Sequence, residues 1–382
     1  MRGKRIDTRT IIGIALLVFV VVGLIVFNVA AKKYGLFKKD DKNALVTKTT
    51  VNKELTVDEQ IEEYIKNFGE RDGKDVTAPL ILSGANTTVK VGAERVPDPG
   101  IAIDDYDTSI EFTYEGEYDL SKEGTYEIVR IATDDAGNST RQNVTLRVVA
   151  ELPKTEEPKR MATLKISDAI KKYKTNDEIE VGIDVSRWQG DINWDKVKSA
   201  GVSFVFIRLG VQDGLKGEYY VDRNFVKYFK GAQEAGLKVG VYFYTYAISK
   251  EDGANDAKFV YETLKENNFK PDLPIAFDWE SFGSITFFRT SLNDLNDALH
   301  MFQGVLETAG YSTCLYNSKY YLSSGVWEDP DNNNVWLAQY SSEPTYEGKY
   351  FVWQCSNTGS VPGIVGDVDI DIMYSSPKEK TR

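Results

Sequence analysis

From Val181 onward, short apolar β-prone runs alternate with amphipathic stretches, and that alternation confines the second half of the chain to an α/β layer architecture. Strands are expected at 182–186, 204–209, 238–244, 274–279, 312–316, 335–340, 351–354 and 368–373. Helices fit 194–200, 224–235, 250–267 and 291–309; Gly236 and Gly310 follow the second and fourth as C-terminal stops. The last three strands arrive with little room for helices between them. The expected fold is an irregular (β/α) barrel of eight strands, regular at first and poor in helices towards its end.

Acidic residues sit where several of these strands should finish. Asp184 closes Val181-Gly182-Ile183-Asp184, Asp278 and Glu280 close Ile275-Ala276-Phe277-Asp278-Trp279-Glu280, and Asp369 lies in Val368-Asp369-Ile370-Asp371. A single Asp at a strand end is more often a turn or cap residue. Several on otherwise apolar strands reverse those odds, because a buried charge without a task is costly. Side chains alternate along a strand, so Asp278 and Glu280 point the same way. Adjacent carboxyls push their pKa values apart, leaving one proton donor and one anion, the equipment of a glycosidase.

The 382 residues carry 46 Lys+Arg against 58 Asp+Glu, a formal charge of -12 that argues against nucleic acid as a partner. One histidine, His300, and two cysteines, Cys314 and Cys355, exclude a zinc finger and disfavour a zinc enzyme. His300 falls mid-helix and makes a poor triad base. The cysteines are either a disulfide or two buried thiols, and buried thiols are favoured because nothing else suggests a disulfide scaffold. No cofactor is expected. A carboxylate site for Ca²⁺ or Mg²⁺ is a minor option without Asp-x-Asp-x-Asp-Gly spacing, so no metal is assigned.

Residues 11–31 lack charged side chains and are long enough to span a bilayer, which takes roughly twenty apolar residues. Basic residues flank both ends, so orientation is ambiguous by charge alone; Arg2, Lys4, Arg5 and Arg9 favour a cytoplasmic 1–10. The competing reading is a signal peptide cleaved after Val29-Ala30-Ala31, followed by secretion. The length of the apolar stretch favours an uncleaved single-pass anchor, with the C-terminal domains facing the cell wall.

Residues 32–76 read as a stalk with one short helix, opened by the capping box Thr56-Val57-Asp58-Glu59 and stopped at Gly69; the helix either packs on the following domain or is simply stalk. Residues 77–150 read as all-β, with alternating runs at 88–91, 110–114, 125–131 and 143–148. Thr77-Ala78-Pro79, Gly124-Thr125-Tyr126 and Ala132-Thr133-Asp134-Asp135-Ala136-Gly137-Asn138 make this stretch resemble bacterial immunoglobulin-like modules. That resemblance implies a small sandwich serving as a spacer or as a contact for envelope proteins. Residues 151–180 are an interdomain linker with a helix around 169–173, 181–376 the barrel, and 377–382 a polar tail.

The barrel region resembles glycoside hydrolase family 25, the lysozymes that act as N-acetylmuramidases. Matching pieces run its length: Gly182-Ile183-Asp184-Val185-Ser186-Arg187-Trp188-Gln189-Gly190, Phe206-Ile207-Arg208, Val239-Gly240-Val241-Tyr242-Phe243-Tyr244, Phe277-Asp278-Trp279-Glu280, Val335-Trp336-Leu337-Ala338-Gln339-Tyr340 and Val368-Asp369-Ile370-Asp371. The resemblance implies cleavage of the β-1,4 bond from N-acetylmuramic acid to N-acetylglucosamine in peptidoglycan. It gives Glu280 the proton-donor position, Asp278 that of its partner, and Asp184 and Asp369 the other acidic positions. Trp188, Tyr242, Tyr244, Trp279, Tyr316, Tyr340 and Trp353 offer flat faces for sugar rings. Gln189, Arg208, Gln339 and Asp371 complete the expected substrate-facing set. Asp371 stands where the family often has Asn, which leaves the choice between Asp369 and Asp371 open. The nucleophile is either a carboxylate or the substrate's acetamido oxygen. The rival reading is an inactive sugar-binding surface protein or adhesin; the intact Asp278/Glu280 pair counts against it.

Overall fold

The computed structural model describes residues 55–378 except 72, 83, 97–100, 155–159, 215–216 and 281–288. The expected anchor at 11–31 lies outside the described residues. Among those described, no helix is long and apolar enough to cross a membrane.

Helix α1 (Val57–Asn67) opens with the expected capping box, Thr56 and Glu59 each bonding the other's backbone amide. It docks on barrel helices about two hundred residues away in sequence. Ile61 is buried, Asp58 pairs with Lys265 at 2.8 Å and Glu62 with Lys258 at 2.6 Å. Tyr64 lies over Gly304, where any Cβ would fall inside the phenol.

The β-rich part contains β1 (Leu80–Ile81), β2 (Asn86–Lys90), β3 (Ala102–Ile103), β4 (Glu111–Glu115), β5 (Gly124–Thr133) and β6 (Ser139–Val149). Four of these form one sheet in the order β2-β6-β5-β4, with β2 parallel to β6 and the other pairs antiparallel. Its buried face carries Val89, Ile128, Val144, Leu146 and Val148. The remaining two, β1 and β3, form a separate antiparallel ribbon, and Ile103 joins the hydrophobic core of the barrel domain.

After β7 (Leu164–Lys165) and α2 (Ile166–Tyr173) the barrel begins. Its wall is β8 (Ile179–Val185), β9 (Phe204–Asp213), β11 (Lys238–Tyr244), β12 (Ile275–Asp278), β13 (Thr313–Ser318), β14 (Val335–Ala338), β15 (Tyr350–Ser360) and β16 (Val368–Lys378). Strand β10 (Glu218–Val221) hangs on β9 as an antiparallel hairpin, in addition to the eight expected strands. The helices are α3 (Trp194–Ser199), α4 (Phe225–Glu234), α5 (Lys250–Asn267), α6 (Leu292–Thr308) and the single turn α7 (Lys319–Leu322). Gly236 and Gly310 follow α4 and α6 at φ 74° and 87°, the left-handed conformation that terminates a helix. Strands β8 to β15 pair in parallel around the wall, and β16 closes it antiparallel to both β15 and β8. The linker is tied down too: Leu164 pairs with Gly359, and the Tyr173 ring meets Trp353 edge-on at 5.3 Å.

Strict alternation sorts the side chains. Phe204, Phe206, Tyr242, Ala276, Cys314, Tyr316, Trp336 and Val352 fill the inside. Val205, Ile207, Val241, Phe243, Ile275, Phe277, Leu315 and Leu337 face outward under the helices. Cys314 and Cys355 are both free and buried, Cys314 in the inner cluster and Cys355 in the outer one. They belong to opposite faces of the wall. His300 sits within α6.

Candidate active site

The C-terminal ends of the parallel strands surround a cleft of about 330 Å³. Asp184, Trp188, Gln189, Arg208, Tyr242, Tyr244, Asp278, Glu280, Tyr316, Tyr340 and Asp369 line it, together with Ser186, Trp336, Gln354 and Asn357.

Asp278 ends β12 and is 4% exposed, whereas Glu280 lies just past the strand and reaches solvent. Their carboxyls share a hydrogen bond. Burial raises the pKa of Asp278 well above the usual range, the charge of Glu280 adds to this, and Arg208 opposes it. The desolvating walls raise Glu280 as well, despite its open side, and the hydrogen bond shared with Asp278 opposes this. Both shifts favour the protonated carboxyl, and Glu280, on the open side, is the member placed to hand a proton to a ligand. Three bonds hold this turn in place. Thr245 N–H donates to the Asp278 carbonyl at 2.9 Å, Trp279 Nε1 donates to the Ala247 carbonyl at 2.9 Å, and Asn317 Nδ2 donates to the Trp279 carbonyl at 2.9 Å.

Across the cleft, Gln354 joins three groups. Its Nε2 donates to Asp184 at 2.7 Å, and its Oε1 accepts from the Tyr316 and Tyr340 hydroxyls at 2.9 and 3.0 Å. Asp184 is pushed well up by burial and then by the charge of Asp371, with the Gln354 bond opposing. Asp369 is raised to about 9 by burial and the neighbouring Asp184. Arg208 is held by Asp222 at 2.7 Å, and Asp222 also accepts the Arg187 N–H at 3.0 Å. Trp188 is 71% exposed at the rim, with the Arg187 guanidinium 4.7 Å from its ring centre.

Four residues expected to face substrate lie elsewhere. Trp279 and Trp353 point outward from the wall: Trp279 is wholly buried among the helices, and Trp353 packs on Tyr173 while donating to the Gln339 carbonyl at 2.7 Å. Gln339 also turns away, with Nε2 bonded to Ser341 and Thr345. Asp371 points inward but one layer below the cleft, fully buried and accepting from Trp336 Nε1 at 2.9 Å. Alternation assigns all four. Trp279, Gln339 and Trp353 each sit at the parity opposite to an inward residue, and Asp371 is two residues further along β16 than Asp369. The same rule exposes what the sequence reading omitted, since Trp336 and Gln354 occupy the inward positions beside Leu337 and Trp353.

Residues 183–364 match the model of the family glycosyl hydrolases family 25. The chain is 28% identical over 191 residues to "Autolytic lysozyme" of Clostridium acetobutylicum, covering 50% of this chain and 54% of that one. It is 31% identical over 201 residues to "Lysozyme M1" of Streptomyces globisporus, covering 49% of this chain and 65% of that one. In both cases the chain spans less than two thirds of the relative's length. A solved family 25 glycosyl hydrolase of Bacillus anthracis is 24% identical with a TM-score of 0.44, over 53% of this chain and 93% of that one.

Proposed function

We propose that the barrel is a peptidoglycan hydrolase, a 1,4-β-N-acetylmuramidase. One observation carries the reading: a buried Asp278 shares a hydrogen bond with a solvent-reaching Glu280 on the floor of a cleft walled by tyrosines and tryptophans. The family match over 183–364 and the two lysozyme relatives supply the substrate class.

In the proposed reaction Glu280 gives its proton to the glycosidic oxygen as the bond to the anomeric carbon breaks, and N-acetylglucosamine leaves as an alcohol. The acetamido oxygen of the muramic acid residue closes on the anomeric carbon. The resulting positive charge lies beside anionic Asp278. Water then attacks that carbon and returns its proton to Glu280, which leaves the pair as it began. Tyr242, Tyr244 and Tyr316 exclude water and present flat faces to the sugars. Mass spectrometry of a peptidoglycan digest tests the activity. New reducing ends on N-acetylmuramic acid are expected; N-acetylglucosamine at that position, or uncut glycan, rejects the assignment.

The localisation proposed for the enzyme is a single-pass anchor through residues 11–31, motivated by their uncharged apolar composition. The β-rich part would then act as an immunoglobulin-like spacer between membrane and wall. Mature protein that begins after Ala31 and accumulates in the medium would replace this with the secreted reading.

A further inference from the structure

Five aspartates gather where the β-rich part meets the barrel. Asp75 follows α1, Asp104, Asp105 and Asp107 follow β3, and Asp134 lies in the turn from β5 to β6. Carboxylate oxygens of Asp75, Asp104 and Asp105 lie within 4.8 Å of one another, and so do those of Asp75, Asp107 and Asp134. The two groups share Asp75. Among the described residues, none of the five pairs with a lysine or arginine.

Acidic clusters are common on surfaces, but this one reaches inward: Asp75, Asp105 and Asp107 are half-buried, while Asp104 and Asp134 are buried. Asp104 is 1% exposed, and its Oδ2 already accepts the amides of Tyr106 at 2.8 Å and Asp107 at 3.0 Å. Its Oδ1 is buried without a hydrogen-bond partner, and Asp105 Oδ1 is in the same condition. A buried carboxylate oxygen with no donor costs a good part of its hydration energy, and a second one facing the same neighbours adds repulsion. The donors present are too few. Asn138 Nδ2 reaches Asp75 at 3.2 Å and Asp134 at 2.9 Å, the amides of Thr77, Asn138 and Asp135 reach Asp75 at 3.3 Å, Asp134 at 2.7 Å and Asp107 at 2.6 Å, and none of these serves Asp104 or Asp105 Oδ1.

We propose that Asp75, Asp104 and Asp105 bind one calcium ion, with Asp107 and Asp134 adding negative charge from the far side of Asp75. All the ligand atoms are hard oxygens, and several carboxylates converge from segments outside helix and strand. That set suits Ca²⁺, which takes six to eight oxygens in adaptable geometry, better than Mg²⁺, which demands a tight octahedron. The absence of histidine and cysteine disfavours zinc.

The position gives the ion a structural task. The Asp104 carbonyl accepts the Leu292 amide at 2.7 Å and the Asp105 carbonyl accepts the Asn293 amide at 3.3 Å, at the first turn of α6. Arg71, four residues before Asp75, bonds Asp297 at 2.7 Å on the same helix. An ion at this point would join the segment after α1, the loop after β3 and the start of α6. It would fix the β-rich part on the barrel without touching the cleft.

The test uses the full chain stripped with a chelator, titrated calorimetrically with CaCl₂ and, separately, with MgCl₂ at matched ionic strength. One saturable calcium site is expected, in the range of about 10⁻⁴–10⁻³ M typical of extracellular modules or tighter. Binding should raise the thermal midpoint, and magnesium should respond more weakly. Asp75→Asn should weaken calcium binding at least about tenfold, as loss of supporting contacts in metal sites does, and remove the thermal shift. Asp75 lies outside helix and strand, so this variant keeps its fold even where Asp104→Asn does not. No saturable calcium binding, equal responses to both ions, or an Asp75→Asn variant that binds like wild type would each overturn the proposal.

Discussion

Asp184 and Asp369 are direct partners across the antiparallel β8–β16 pair. One stands near the end of its strand and the other at the second residue of its own. They meet because β16, unlike the other strands of the wall, runs against its neighbours, so its start lies at the same end of the barrel as the finish of β8. This reversal brings a fourth carboxyl to a cleft otherwise built from strand C-termini. Two acids so close and so buried cannot both ionise cheaply, which is why both have raised pKa values.

Glu280→Gln should leave folding unchanged and reduce muropeptide release by about 10²–10⁴-fold, the range for loss of a positioned acid. The amide keeps shape and hydrogen-bonding reach, and the solvent-open side chain supports no packing. Wild-type release from a variant with an unaltered thermal midpoint sinks the assignment of the acid.

The roles of the two neighbouring acids separate by substrate. If the acetamido oxygen is the nucleophile, Asp278→Asn should cripple turnover. It should also move the alkaline limb of the pH–rate profile to lower pH, because a neutral amide replaces the anionic neighbour that disfavours ionisation of Glu280. Peptidoglycan whose muramic acid lacks the N-acetyl group should resist even the wild-type protein. A glycosyl ester trapped on Asp278 or Asp369 by a fluorinated sugar would establish a carboxylate nucleophile instead.

Gln354→Met should raise KM more than it lowers kcat. The change strips the shared partner from Tyr316, Tyr340 and Asp184 at once while preserving volume. Each buried group left unpaired costs about 1–3 kcal/mol, so the thermal midpoint should fall as well. Tyr340 is the most exposed of the three and should recover through water. Unchanged KM and midpoint would show that the network does not position the cleft.

Most of this architecture is legible in the chain. The eight strands and four main helices fall where apolar runs, caps and glycine stops put them, because each signal is local. The acids at strand ends are legible for the same reason. Trp279, Gln339 and Trp353 were expected in the cleft because aromatic and amide residues suit sugars, yet their parity relative to Asp278, Ala338 and Gln354 already turned them outward. Chemistry suggested the residue type and geometry chose the position. That α1 packs rather than stands free is one of two open readings of the chain, but its place on α5 and α6 is not readable, since it depends on contacts such as Asp58 with Lys265 that join distant parts of the chain. The convergence of Asp75 with Asp104 and Asp134 was hidden in the same way.

Asp256 ties the stability of the barrel to pH. It is fully buried in α5 and accepts the Thr245 hydroxyl, while the Thr245 amide holds the Asp278 carbonyl at 2.9 Å. Burial raises its pKa from 3.8 to about 8, with bonds from Thr245 and Tyr219 opposing and the charge of Asp252 assisting. The folded protein therefore keeps this proton through a range in which the unfolded chain has lost it. Stability from this group is fully present below about pH 4 and declines as pH rises towards about 8. The slope is at most about 1.4 kcal/mol per pH unit. Asp256→Asn stays neutral throughout and can still accept from Thr245, so its stability should fall less between pH 5 and pH 8 than that of the wild type. The other buried carboxyls, Asp184, Asp278, Asp369 and Asp371, act in the same direction in both proteins and cancel in the comparison. Urea unfolding at the two pH values measures the difference, and equal pH dependence in the two proteins would mean that Asp256 is ionised in the folded barrel.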